Sequence, residues 1–105
     1  IDEALAYTKA NYAAVCEKHP GKQVIITEAG WATASNGRGI PPENVGEFYQ
    51  KRYLDELLKW SEEYQVLIYV FEAFDENWKG SDHPLEPEKH WGIYRANRQP
   101  KLAAA

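Results

Sequence analysis

Hydrophobic positions along this 105-residue chain alternate between two rhythms. Ile1, Leu5, Tyr12, Val15 and Cys16 recur near every 3.6 residues among alanines of high helix propensity, which predicts a helix over 1–18. Asp2 and Glu3 suit the positive end of its dipole, Lys18 and His19 suit the other end, and Pro20-Gly21 stops it. Val24-Ile25-Ile26-Thr27 is then an unbroken β-branched run. It predicts a strand over 23–28 with both faces covered, as in a parallel sheet under helices. Residues 30–42 read as loop. A second helix is predicted over 42–64, with Pro42 in its first turn. Val45, Phe48, Tyr49, Tyr53, Leu57, Trp60 and Tyr64 form its core stripe, widened by Leu54 and Leu58. A second continuous apolar run, residues 66–74, predicts a second strand. Strand, helix and strand within about 50 residues make a βαβ unit with a right-handed crossover. The fold class is therefore α/β.

Beyond Asp75 the periodicity stops. A polar loop passes through Pro84 and Pro87 to an extended segment at 89–94, and residues 95–100 read as a turn and surface cover. The chain contains no methionine and ends in Lys101-Leu102-Ala103-Ala104-Ala105. Residues 1–101 are accordingly expected to be part of a longer protein's domain, and residues 102–105 an expression-vector linker.

Composition narrows the function. Net charge is −4 with the two signs interspersed, and the absence of a basic stripe argues against nucleic acid. No apolar run approaches the ~20 residues of a membrane span, so no membrane contact is expected from this segment. Cys16 is the single cysteine and rules out an internal disulfide. His19, His83 and His90 lack ligand spacing, so no metal is expected. Gly37-Arg38-Gly39 is not a phosphate loop, no Gly-x-Ser-x-Gly elbow occurs, and no cofactor is implied. Arg38 reads as a ligand contact or a solvated loop charge. The 4 Trp, 7 Tyr and 3 Phe suit either a core or a carbohydrate cleft, because sugar CH faces stack on aromatic rings.

Candidate chemistry sits at the strand ends. Glu28 closes the first strand, and Glu72, Asp75 and Glu76 fall at or after the end of the second, with Glu88 further on. Carboxylates beside aromatics at the C-terminal edge of a parallel sheet suit glycosidic chemistry, in which one acid attacks or stabilises the anomeric carbon and another protonates the leaving oxygen. Glu72 lies inside an apolar run, as a barrel-interior polar group or the buried partner of a base. Lys79 either holds Glu76 ionised and binds a substrate hydroxyl, or is a surface lysine.

Ile26-Thr27-Glu28-Ala29-Gly30-Trp31 resembles the nucleophile motif of glycoside hydrolase family 17, the (β/α)8-barrel β-1,3-glucanases and related glucanosyltransferases. Tyr69-Val70-Phe71-Glu72-Ala73-Phe74-Asp75-Glu76-Asn77-Trp78-Lys79 resembles that family's last barrel strand and the loop after it. Glu88-Lys89-His90-Trp91-Gly92-Ile93-Tyr94 resembles its closing segment. The resemblance implies the C-terminal fragment of a TIM barrel: a helix, strand seven, helix seven, strand eight and the closing segment. It implies that Glu28 is the nucleophile of a retaining reaction on β-glucan, in an extracytoplasmic setting. Glu76, Lys79 and Glu88 would line the cleft and tune Glu28. Trp31 and Phe74 would stand near the cleaved bond, and Trp78 and Trp91 would stack on sugar or pack.

Two departures follow from the same resemblance. The general acid belongs to the family's fourth strand and lies outside this chain, so the 105 residues alone are expected to be inactive. Two strands leave uncovered edges, which implies a partner: the missing N-terminal part of the barrel or a self-associated copy. The plant members commonly carry a small or apolar residue where this chain has Glu72. The alternatives are a non-catalytic carbohydrate-binding module and a structural α/β fragment without a ligand.

Overall fold

Helix α1 (Ala4–Lys18) leads into strand β1 (Ile26–Ala29), and helix α2 (Glu47–Tyr64) carries the chain back to strand β2 (Ile68–Val70). In the computed structural model, which describes residues 1–105, β1 and β2 are parallel neighbours, with Ile26 beside Ile68 and Ala29 beside Val70. The expected strand–helix–strand unit is present. Short 3₁₀ turns at Pro42–Asn44, Pro87–Lys89 and Leu102–Ala104 punctuate the remainder.

Element boundaries differ from expectation for local reasons. Pro42 opens a 3₁₀ turn rather than the long helix. Gly46, at φ 144°, takes a conformation that side-chain-bearing residues avoid, and α2 starts one residue later. The second strand ends at Val70, not at 74. Phe71 donates its N–H to the Ala29 carbonyl at 2.8 Å, and there the chain leaves β1. It then pairs with the closing segment. Glu72 N–H donates to Trp91 O at 3.1 Å, Ile93 N–H to Glu72 O at 3.0 Å and Tyr94 N–H to Ala73 O at 2.9 Å. The Phe71–Glu72 peptide is cis.

The core is built on α2. Tyr53, Leu54, Leu57 and Trp60 are buried with Val66, and Ile26, Ile68 and Val70 of the strands pack on them. Helix α1 contributes no fully buried residue. It meets α2 through Tyr12, edge-on to Trp60 at 5.4 Å between ring centres, and through a 2.9 Å hydrogen bond between the Thr8 and Tyr53 hydroxyls. The aromatic stripe of α2 is wider than the surface it meets. Phe48 and Tyr64, expected in the core, are 68% and 69% exposed, and Leu58 is exposed as well. The sheet is covered on one face only: Ile26, Ala29, Ile68 and Val70 turn to the helices, while Thr27, Glu28 and Tyr69 are exposed. Two strands and two helices cannot sheathe both faces, so the expected double coverage is not reached within this chain.

Candidate active site

An open cleft of about 480 Å³ lies where the two strands end. Glu28 enters it from β1, Lys79 and Glu88 from the long loop after β2, and Trp91 from the closing segment, with Gly30 and Phe71 between them. The Lys79 ammonium stands 4.6 Å above the centre of the Phe71 ring and 3.6 Å from Glu76 Oε2, so Glu76 reaches the cleft through Lys79. The Trp91 ring meets Phe71 edge-on at 6.1 Å, and its indole N–H is buried without a partner. One cation thus shares the cleft with two carboxylates beside aromatic rings, a lining that suits a neutral polyhydroxylated ligand.

The other sequence candidates lie elsewhere. Trp31 gives its indole N–H to the Asn44 carbonyl at 2.7 Å and tilts against Tyr53 at 5.4 Å, which seats it between the β1 exit and α2. Phe74 packs on Tyr94 with Arg98 over its ring, and Trp78 is 79% exposed. Arg38 is exposed and borders a polar groove with Ser81, Glu86 and Glu88. Asp75, one of the strand-end acids, is buried away from the cleft.

Three supports hold the walls. A Cβ built on Gly30 would run into the Phe71 carbonyl oxygen, so the two strand ends meet backbone to backbone and only glycine fits. Asp75 Oδ1 accepts from the Gly92 N–H at 2.9 Å and from Lys101 Nζ at 2.7 Å, and Lys101 also donates to the Thr33 hydroxyl at 2.9 Å. This buried pair joins the loops after both strands to the tail. Burial holds Lys101 below the usual lysine range, with Asp75 pulling the other way. Gln50, wholly buried on α2, donates from Nε2 to the carbonyls of Gly92 at 2.9 Å and Trp31 at 3.1 Å.

Glu72 has unusual surroundings. Burial, then a hydrogen bond and repulsion from Glu76, push its carboxyl up to about 7, although Lys79 opposes them. Its Oε2 is shut off from solvent and receives no hydrogen bond. Of the two settings expected for Glu72, partnership with a base does not describe it: no basic side chain pairs with it, and the nearby Lys79 pairs with Glu76 instead.

Residues 9–104 match the family model described as Glycosyl hydrolases family 17. The chain belongs to glycosyl hydrolases family 17. A glucan 1,3-beta-glucosidase of Arthroderma benhamiae is 36% identical over 89 residues, covering 77% of this chain and 27% of that protein. A glucan 1,3-beta-glucosidase of Saccharomyces cerevisiae is 33% identical over 76 residues, covering 69% of this chain and 23% of that protein. The chain thus spans about a quarter of the length of these relatives. An active-site mutant of the Rhizomucor miehei beta-1,3-glucanosyltransferase, in complex with laminaritriose, superposes with a TM-score of 0.83 and 25% identity, over 99% of this chain and 36% of that one. The two helices and two parallel strands accordingly fit a portion of a family 17 barrel.

Within this family 17 chain, the residue pattern does not single out Gln50, Thr33 or the burial of Lys101. Gln50 does carry a signal: it lies three residues before Tyr53 and four before Leu54, on the face that α2 buries. Lys101 carries none, because a terminal lysine reads as solvated until its partner is known. No trio of His, Cys, Asp or Glu side chains converges to hold a metal ion, and no helix is long and apolar enough to cross a membrane.

Proposed function

We propose that this chain is the part of a retaining β-glucan hydrolase or glucanosyltransferase that spans strands seven and eight of its barrel, with Glu28 as nucleophile. The observation that carries the reading is the convergence of Glu28, Lys79, Glu88 and Trp91 on one cleft at the C-terminal ends of the parallel strands. Glu28 attacks the anomeric carbon of a β-1,3-linked glucan and expels the leaving oxygen, which takes its proton from an acid outside these residues. Water or a sugar hydroxyl then releases the glycosyl group, giving hydrolysis or transfer. Lys79 and Glu88 hydrogen-bond sugar hydroxyls, and Trp91 supplies an apolar wall. Glu76 acts on the cleft through Lys79. Trp31 takes a supporting part behind Glu28, and Phe74 and Trp78 lie away from the cleaved bond. The setting is extracytoplasmic, where polymeric glucan is met, and the remainder of the barrel is the partner of the bare sheet face.

The test uses the intact parent protein with laminari-oligosaccharides. Glu28→Gln is expected to lower kcat by at least ~10³-fold, because an amide cannot form the covalent intermediate. Added azide is expected to restore turnover in Glu28→Gly, by attacking from the vacated side. Retention of most activity in Glu28→Gln overturns the assignment. The 105-residue chain by itself holds one of the two required carboxylates and is expected to bind these oligosaccharides without cleaving them.

A further inference from the structure

We propose that the polar groove beside Arg38 is a further sugar subsite of the cleft, in which Arg38 binds a glucosyl unit beyond those at the cleaved bond and so sets a preference for longer chains. The inference rests on the cleft reading above and extends it to a groove that reading leaves empty of purpose.

The groove holds about 570 Å³ and lies between the loop after β1 and the loop after β2. Glu88 lines both the groove and the cleft, so the two hollows meet at that carboxylate. Each wall is held by bonds of its own. On the first, the buried Ser35 donates its hydroxyl to the Ile40 carbonyl at 2.5 Å and accepts the Gly37 N–H at 2.9 Å. Asn36 Oδ1 accepts the Arg38 N–H at 3.1 Å. These bonds fix the turn that carries Arg38. On the second wall, Gly80 takes φ 75°, and a Cβ there would stand 2.5 Å from Glu86 Cγ and 3.0 Å from Glu88 Cβ. Both acids therefore pack directly on the Gly80 backbone. Glu86 is buried, and its Oε2 accepts from the Ser81 hydroxyl at 2.9 Å.

The two walls offer opposite halves of a hydrogen bond. The ion pairs of the chain leave Arg38 out, although Glu86 and Glu88 line the same groove. Its guanidinium is thus a free fork of donors, set across a gap from carboxylate acceptors. A sugar hydroxyl satisfies both, because it accepts from a guanidinium and donates to a carboxylate. An anionic ligand would meet two carboxylates and a cation would meet Arg38, so a neutral polyol is the class that both walls accept. No lining residue is apolar, whereas the cleft has Phe71 and Trp91. The groove therefore holds a sugar by its hydroxyl edge and not by stacking on its face. A glucan chain that leaves the cleft past Glu88 supplies that edge.

The test follows chain length in the intact protein. kcat/KM is measured on laminari-oligosaccharides from the trimer to the heptamer, and in the parent it is expected to climb once the chain is long enough to reach the groove. Arg38→Ala should lower the ratio of long-chain to short-chain kcat/KM by about tenfold, through KM more than kcat, because the lost hydrogen bonds are made before and during the reaction alike. A ratio that changes by less than about threefold overturns the proposal, and so does a loss of the same size at every chain length, which marks general damage. Calorimetric binding of the same oligosaccharides to the Glu28→Gln protein reads the subsite without turnover. There the affinity gained by the longer chains should shrink by about tenfold when Arg38→Ala is added, and an unchanged gain overturns the proposal. An intact protein that does not cleave glucan, yet binds long chains in a way that Arg38→Ala weakens, refutes the glucanase reading while the subsite stands. Cleavage with a length profile indifferent to Arg38 does the reverse.

Discussion

Asp75 and Glu72 lie three residues apart after β2 and meet opposite surroundings. One oxygen of Asp75 accepts from both the Gly92 N–H and the Lys101 ammonium, so its buried charge is fully complemented. Glu72 presents a buried oxygen that no donor reaches, and its neighbour is a second acid. The loop is therefore divided. Its Asp75 side ties together Thr33, Gly92 and the tail, and behaves as scaffold. Its Glu72 side leaves a polar conflict unresolved beside the cleft, and such conflicts in an otherwise consistent fold gather where chemistry is done. Glu72 lies inside the apolar run and Asp75 directly follows it, so proximity to a strand end does not separate a complemented acid from an orphaned one. The donors around each acid do.

The comparison breaks most readily at Lys101. Lys101→Met leaves Asp75 buried without its cation, and a loss of about 3–5 kcal/mol is expected from urea unfolding. Adding Asp75→Asn should recover part of it, since no charge is then left alone. A loss below about 1 kcal/mol would place Lys101–Asp75 among ordinary surface pairs and erase the contrast. A smaller effect is expected at Gln50, which donates to the Gly92 carbonyl on the scaffold side. Gln50→Leu should cost about 1–3 kcal/mol by stranding the carbonyls it serves, toward the lower figure because the buried Gln50 Oε1 itself has no partner.

The smallest effect sharpens the Glu72 side. Its carboxyl titrates near 7 in the folded chain, against the usual 4.5. Its protonated form therefore contributes stability in full below about pH 4.5, and the contribution drains away as pH rises toward 7. Glu72→Gln should accordingly leave the thermal midpoint nearly unchanged at pH 4 and raise it at pH 8. A rise confined to pH 4 would reverse the sign and place an ionised Glu72 in a favourable site.

Much of the framework is legible in the residue pattern. Two unbroken β-branched or apolar runs separated by one amphipathic stretch suffice for the parallel pair, because a helical crossover returns the second strand beside the first in the same direction. Glu28, Lys79, Glu88 and Trp91 stand out by their place in family-like motifs, and the cleft brings them together. Apolar composition says that residues 71–74 are extended but not which neighbour they pair with, so the switch from β1 to residues 91–94 stayed hidden. Phe48 and Tyr64 share the period of the α2 stripe, and only the width of the opposing surface decides that they stay outside. Trp31 follows Glu28 by three residues, yet the carbonyl of Asn44 draws its indole toward α2 and away from the cleft.

Gly30 and Gly92 bear on how such a cleft can be re-engineered. At both positions a single added carbon would collide with backbone: the Phe71 carbonyl in one case, and residues 74, 75 and 94 in the other. A mutational library that includes either position spends its members on misfolded protein. Diversity placed on the loop around Arg38 and on the exposed stretch at 82–85 touches no such contact. In this chain, substitutions are therefore best accommodated on these two exposed segments, where the backbone has room to accept them.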